Sequence, residues 1–137
     1  MRDMENKASS VRTVKAIIIA FVVALCIKTF VIDFMIAEGN SMKPALASGT
    51  VFILNRAAYG IRVPFSSNYL LRWAEPSVGD ILVFPSPDGR LAIKRCVELV
   101  PPNRFIALGD NKDESYDSRS YGSLSIELIL GRVVGLR

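Results

Sequence analysis

Ser41, in the run Asn40-Ser41-Met42-Lys43-Pro44, is the side chain in this sequence best suited to act as a nucleophile. A serine hydroxyl is weak at neutral pH and needs a neighbour to take its proton. The chain contains no histidine, which excludes a serine–histidine–aspartate triad. The remaining bases are lysine and the carboxylates, and a serine–lysine pair is the known variant.

Lys94 lies in the apolar run Leu91-Ala92-Ile93-Lys94-Arg95-Cys96. In a strand, alternation puts Ala92, Lys94 and Cys96 on one face and leaves Arg95 solvated on the other. A small apolar face disfavours the charged ammonium and lowers the amine pKa, and a lysine must lose its proton before it acts as a base. A strand lysine is more often an ordinary solvated residue, and the local sequence leaves that alternative open. The other lysines suit the role less. Lys43 precedes a proline and points away, Lys28 belongs to the long apolar run, and Lys112 sits among Asp110, Asp113 and Glu114, where its charge is stabilised.

The segment from Gly109 to Arg119 is dense in polar side chains for so apolar a chain. It reads either as a solvated loop or as a network that holds the pair in place. In the second reading Ser115 donates to the lysine amine, and Asp117 pairs with Arg119.

These groups need a scaffold. The chain has 137 residues, half of them hydrophobic, with a formal charge of +4. That length suits one domain. The basic residues are scattered rather than gathered on a helix, so no nucleic-acid partner is expected. Cys26 and Cys96 are far apart and read as small apolar residues rather than a disulfide. No histidine and two cysteines leave almost nothing for a zinc site, and no metal or cofactor is expected.

Ala16 to Ile27 is continuously apolar and resumes at Phe30-Val31-Ile32. The span 16–32 holds 17 residues, at the lower limit for crossing a bilayer. A cleaved signal peptide is the competing reading, but no small-x-small site follows closely. A lipoprotein signal with Cys26 as the modified residue meets the bulky Leu25. An uncleaved anchor over residues 16–35 is therefore expected. It follows an irregular basic tail over 1–15 that stays in the cytoplasm by the positive-inside rule, leaving residues 36–137 outside the cell membrane.

Beyond residue 36 the pattern is short strands and turns: Thr50–Asn55, Asp80–Phe84, Leu91–Val100 after the turn Pro85-Ser86-Pro87-Asp88-Gly89, Arg104–Leu108 and Gly131–Leu136. This implies a mainly β, barrel-like domain. Residues 57–79 read as irregular, with Phe65, Tyr69, Leu70, Leu71 and Trp73 either packed on the core or forming a membrane-interface rim.

Several segments together resemble one family, the type I signal peptidases, which are membrane-bound Ser–Lys proteases. They are Gly39 to Leu46, Gly49 to Arg56 leading into Tyr59 to Pro64, Gly79 to Phe84, Ile93-Lys94-Arg95, Gly109-Asp110-Asn111, Ser115 to Arg119, and Gly131-Arg132. The resemblance implies Ser41 as nucleophile and Lys94 as base. It implies Ser115 as the serine that orients the lysine, Asp117 and Arg119 as a supporting ion pair, and Asp110 as a structural loop residue. Met42 resembles a pocket-shaping residue, beside Gly39 and Asn40 at the oxyanion and substrate positions. The implied substrates are secretory preproteins with small residues at −1 and −3, bound extended against a strand edge, with the lipid bilayer as the other partner.

Two departures stand out. Many bacterial members carry a serine where this chain has Gly39, which leaves the Ser41 backbone N–H and a substitute donor or water for the oxyanion. Most members also place an extra β subdomain where residues 95–108 join Lys94 to the last loop. Two rivals remain. One is a non-catalytic, membrane-anchored preprotein-binding subunit. The other is a cytoplasmic self-cleaving repressor, for which the N-terminus offers no helix-turn-helix pattern.

Overall fold

A long N-terminal helix precedes nine strands in the computed structural model, which describes residues 2–63, 66 and 68–135. The helix α1 spans Arg2–Phe30, so helical backbone occupies the part expected to be an irregular tail. Its segment Ser10–Phe30, 21 residues of mean hydropathy 2.2, is long and apolar enough to cross a membrane and is not buried against the rest of the chain.

The helix stops earlier than the run of apolar residues suggests. Ile32–Ile36 forms strand β1 instead of the end of an anchor reaching residue 35. The reason is local. β-branched Val31 and Ile32 lead into the alternation Ile32, Phe34, Ile36 against Asp33 and Met35, which fits a pleated ribbon better than a helix. The handover is abrupt. The Val31 N–H closes the last helical turn on the Ile27 carbonyl, while the Val31 carbonyl accepts from Arg56 N–H, one residue beyond β2.

Strand β1 pairs antiparallel with β2, Val51–Asn55. Further along come β3 (Gly60–Arg62), β4 (Tyr69–Arg72), β5 (Ile81–Pro85), β6 (Leu91–Val100), β7 (Arg104–Leu108), β8 (Leu124–Ser125) and β9 (Gly131–Val134). A short helix α2, Ser118–Tyr121, lies between β7 and β8. One antiparallel sheet runs in the order β1-β2-β9-β5-β6-β7-β8. Leu136, placed in the last strand from sequence, lies outside the described residues.

The middle of the sheet is covered on both faces. Ile81, Leu82, Val83 and Phe84 of β5 are all buried, as their unbroken apolar run requires. Leu82 and Phe84 join Ala92, Cys96 and Phe105 in one cluster, whereas Ile81 and Val83 join Met42, Leu46, Phe52 and Leu54 in another. Phe84 and Phe105 meet edge to face at 5.1 Å. Cys26 and Cys96 are free thiols.

Residues 57–79 are not irregular throughout. Strands β3 and β4 form a separate two-stranded sheet. The Tyr69 ring lies under the Arg62 and Arg72 guanidinium groups, at 5.0 and 5.8 Å, and its hydroxyl donates to the Ile129 carbonyl. Tyr69 is therefore half-buried, while Leu70, Leu71 and Trp73 are exposed; Phe65 lies outside the described residues.

Candidate active site

Ser41 sits in the turn that follows β1, and Lys94 in the middle of β6. Alternation along β6 buries Ala92, Lys94 and Cys96 together, and the antiparallel register sets Lys94 beside Leu82 of β5. Only 5 % of Lys94 is exposed. Its Nζ donates to Ser41 Oγ at 2.7 Å. Burial pushes the amine pKa down from the ordinary lysine range, and the nearby Asp117 and Asp88 carboxylates pull it partly back. A neutral amine at this distance can take a hydroxyl proton.

The loop after β7 holds the Ser41 turn from the other side. Asn111 N–H donates to the Ser41 carbonyl at 2.9 Å, and Asn111 Nδ2 donates to the Asn40 carbonyl. Asn40 Nδ2 in turn donates to Glu114. Gly109 makes this approach possible, because a Cβ there would overlap Ser115 Oγ and stand 2.6 Å from the Ser41 carbonyl oxygen. Asn111, Glu114 and Gly109 were not singled out as site residues from sequence. The density of polar residues around them was the available signal.

Ser115 departs from its expected contact. Its hydroxyl donates to Asp117 Oδ2 at 2.6 Å rather than to the Lys94 amine. Asp117 is fully buried and accepts from several donors around it. Arg119 gives it two side-chain bonds and its backbone N–H, and Gly109 gives its backbone N–H. Burial alone would raise the Asp117 pKa, but the bonds from Arg119, Ser115 and Gly109 outweigh it and hold the carboxyl well below the usual range. A carboxylate so committed outcompetes an amine for the Ser115 proton.

Arg95 is not merely solvated. It forms a two-pronged ion pair with Asp110, at 2.9 and 2.7 Å, and donates to the Gly79 carbonyl. The β6–β7 register explains this: Arg95 faces Leu108, two residues before Asp110.

Ser41 and Lys94 open onto a groove of about 600 Å³. Its walls include Ala37, Met42, Leu46, Ala92 and Ile93, with Asp88 and Glu114 near the site. Met42 is buried, and Gly39 adopts a φ of +75°, where a side chain would be strained. Among the described residues the Ser41 N–H has no acceptor.

The family model described as signal peptidase, peptidase S26 matches residues 10–99 and 96–136. A signal peptidase I of Pseudomonas aeruginosa is 32 % identical over 117 residues, covering 82 % of this chain and 38 % of that protein. One from Buchnera aphidicola subsp. Schizaphis graminum is 32 % identical over 97 residues, covering 70 % and 31 %. One from Bacillus caldolyticus is 28 % identical over 153 residues, covering 84 % of each. The chain thus spans about a third of the length of the first two relatives, and most of the third. With the family model matched along nearly the whole chain from the helix to the last strand, this protein belongs to the signal peptidase S26 family.

Proposed function

We propose that this protein is a membrane-bound serine endopeptidase that removes N-terminal signal peptides from secreted preproteins. The observation that carries the proposal is the 2.7 Å contact between Lys94 Nζ and Ser41 Oγ at a buried amine of lowered pKa, facing a groove whose walls include Ala37, Met42, Leu46, Ala92 and Ile93. The names of the relatives support the substrate class.

In the mechanism, neutral Lys94 takes the Ser41 proton as Oγ attacks the scissile carbonyl. The Ser41 N–H donates to the oxyanion that forms. Protonated Lys94 then gives its proton to the leaving amine, and an ester joins the signal peptide to Ser41. Lys94 next removes a proton from water, the hydroxide attacks the ester carbonyl, and as the bond to Ser41 Oγ breaks Lys94 returns the proton to that oxygen, releasing the signal peptide as its carboxylate. Asp117, held by Arg119 and Ser115, keeps the loop that supports the Ser41 turn in register. The substrate strand lies along the groove, with small side chains at −1 and −3 against Ala37, Met42, Leu46, Ala92 and Ile93. Helix α1 spans the membrane, with the tail bearing Arg2, Lys7, Arg12 and Lys15 in the cytoplasm and the β domain outside.

Cleavage of a preprotein with an Ala-x-Ala site, in detergent or lipid, tests this reading. Wild-type cleavage at that site, lost in Ser41→Ala and in Lys94→Ala, is the expected result. Continued cleavage by Lys94→Ala would assign the base elsewhere. One observation favours a second reading, a membrane-anchored preprotein-binding subunit: Gly39 brings no side-chain donor to the oxyanion position. A folded wild type that binds preprotein but resists acylation at Ser41 would select it.

A further inference from the structure

A second cavity, of about 650 Å³, lies where α1 meets the β domain, away from the Ser41 and Lys94 groove. Leu25, Lys28 and Phe30 line it from the helix; Asp33, Arg56 and Arg62 line it from the domain. Three cations thus surround one carboxylate. That carboxylate is already committed: Asp33 Oδ2 accepts from Arg56 at 2.7 Å and Oδ1 accepts from the Phe34 N–H. Arg62 donates only to backbone carbonyls, of Ser66, Glu127 and Ile129, so no acid cancels its charge. Lys28 makes no ion pair among the described residues.

The cavity is therefore amphipathic. Leu25 and Phe30 continue the apolar flank of the helix into it, Lys28 lines it from the last turn of the helix, and Arg56 and Arg62 stand at its domain side. Its depth along the helix is informative too. Lys28 is in the last turn of α1 and of its membrane-length segment, the level at which phosphates of a bilayer leaflet lie. The partly negative C-terminus of α1 is nearby, but about half a charge does not offset the uncancelled Lys28 and Arg62.

We propose that this cavity binds the phosphate of one anionic phospholipid, with its acyl chain along Leu25 and Phe30. The inference rests on the reading that α1 spans the membrane. Bound there, the lipid joins the helix to the domain through charges on both.

The test uses the full chain in mixed micelles containing equal amounts of phosphatidylglycerol and phosphatidylcholine, with retained lipid read by native mass spectrometry. One phosphatidylglycerol should stay with the wild type in preference to phosphatidylcholine. Lys28→Gln should weaken that retention about fivefold, and Lys28→Arg should keep it. Lys112→Gln, in a distant loop, should change nothing. Equal retention of the two lipids, wild-type retention by Lys28→Gln, or displacement of the lipid by millimolar inorganic phosphate would each overturn the proposal. Alkaline extraction of vesicles separates the two readings. A chain that is extracted loses the membrane span itself, whereas an inserted chain without lipid preference loses only this site.

Discussion

The Lys94 amine lies within 2.7 Å of the Ser41 hydroxyl although the two residues are 53 positions apart and reach each other from different elements. In the proposed mechanism this contact requires a lysine that can be neutral. Replacing Lys94 with Arg keeps a donor in place but supplies a group that does not deprotonate at accessible pH. Cleavage should fall by a factor on the order of 10⁴ or more, as for loss of a base in other serine peptidases. Single-turnover assays on folded Lys94→Arg protein check this, and near-normal rates would remove Lys94 from the mechanism.

The lowered Lys94 pKa predicts the shape of the pH profile. The proposed mechanism requires the neutral amine, so kcat/KM should fall as pH drops through the folded-state pKa. That midpoint should lie below the value of about 10.4 for a free lysine. Stability follows the same sign. The unfolded chain binds this proton more tightly, so stability rises with pH between the folded and unfolded pKa values, and the penalty is complete below the folded one. Lys94→Met should remove both the activity and the penalty, raising stability at pH 7 by about 1 kcal/mol. Urea unfolding measures it, and a marked loss of stability would contradict the assignment of burial as the dominant cause.

Asp117 carries the opposite sign. Its folded-state pKa is depressed, so its stabilising contribution is present above the unfolded value of about 3.9 and is lost as pH falls through the folded one. Asp117→Asn leaves the donors of Gly109, Ser115 and Arg119 with a poorer acceptor at a buried position. It should cost about 2 kcal/mol at neutral pH and flatten the loss of stability on acidification. Denaturation curves from pH 7 down to about pH 1 test both effects together; an unchanged acid limb would count against the role.

Gly109→Ala probes the contact between the last loop and the nucleophile turn. A methyl group there meets Ser115 Oγ and the Ser41 carbonyl, so either the loop or the turn must move. The expected cost is about 2 kcal/mol in stability, with a drop in kcat larger than any change in KM. Retained kcat in a destabilised protein would show that the turn tolerates displacement.

Much of this arrangement was legible in the residues. Strands β6 and β7 lie where their apolar runs placed them, and the hairpin turn at 85–89 announced itself through proline and glycine. The pairing of Ala92, Lys94 and Cys96 followed from the two-residue period. Three things were not legible. Strand β1 was hidden because its apolar residues continue the hydrophobic run of the helix and mask a five-residue alternation, which pairing with β2 then fixes. Strands β3 and β4 are short, and tertiary contacts from Arg62 and Tyr69 to residues 127 and 129 hold them. The direction of the Ser115 hydroxyl was also out of reach, because competition between a buried carboxylate and an amine depends on positions in space.

The strand β1 begins two residues after α1 ends, and Val31 is hydrogen-bonded to both helix and sheet. The two parts therefore meet without a slack tether. A short junction of this kind should pass rotation or tilt of the helix to the sheet, as a handle does, and carry Ser41 with it. In the proposed function the place of Ser41 relative to the bilayer would follow the pose of the helix, and lengthening this junction with glycines would uncouple the two.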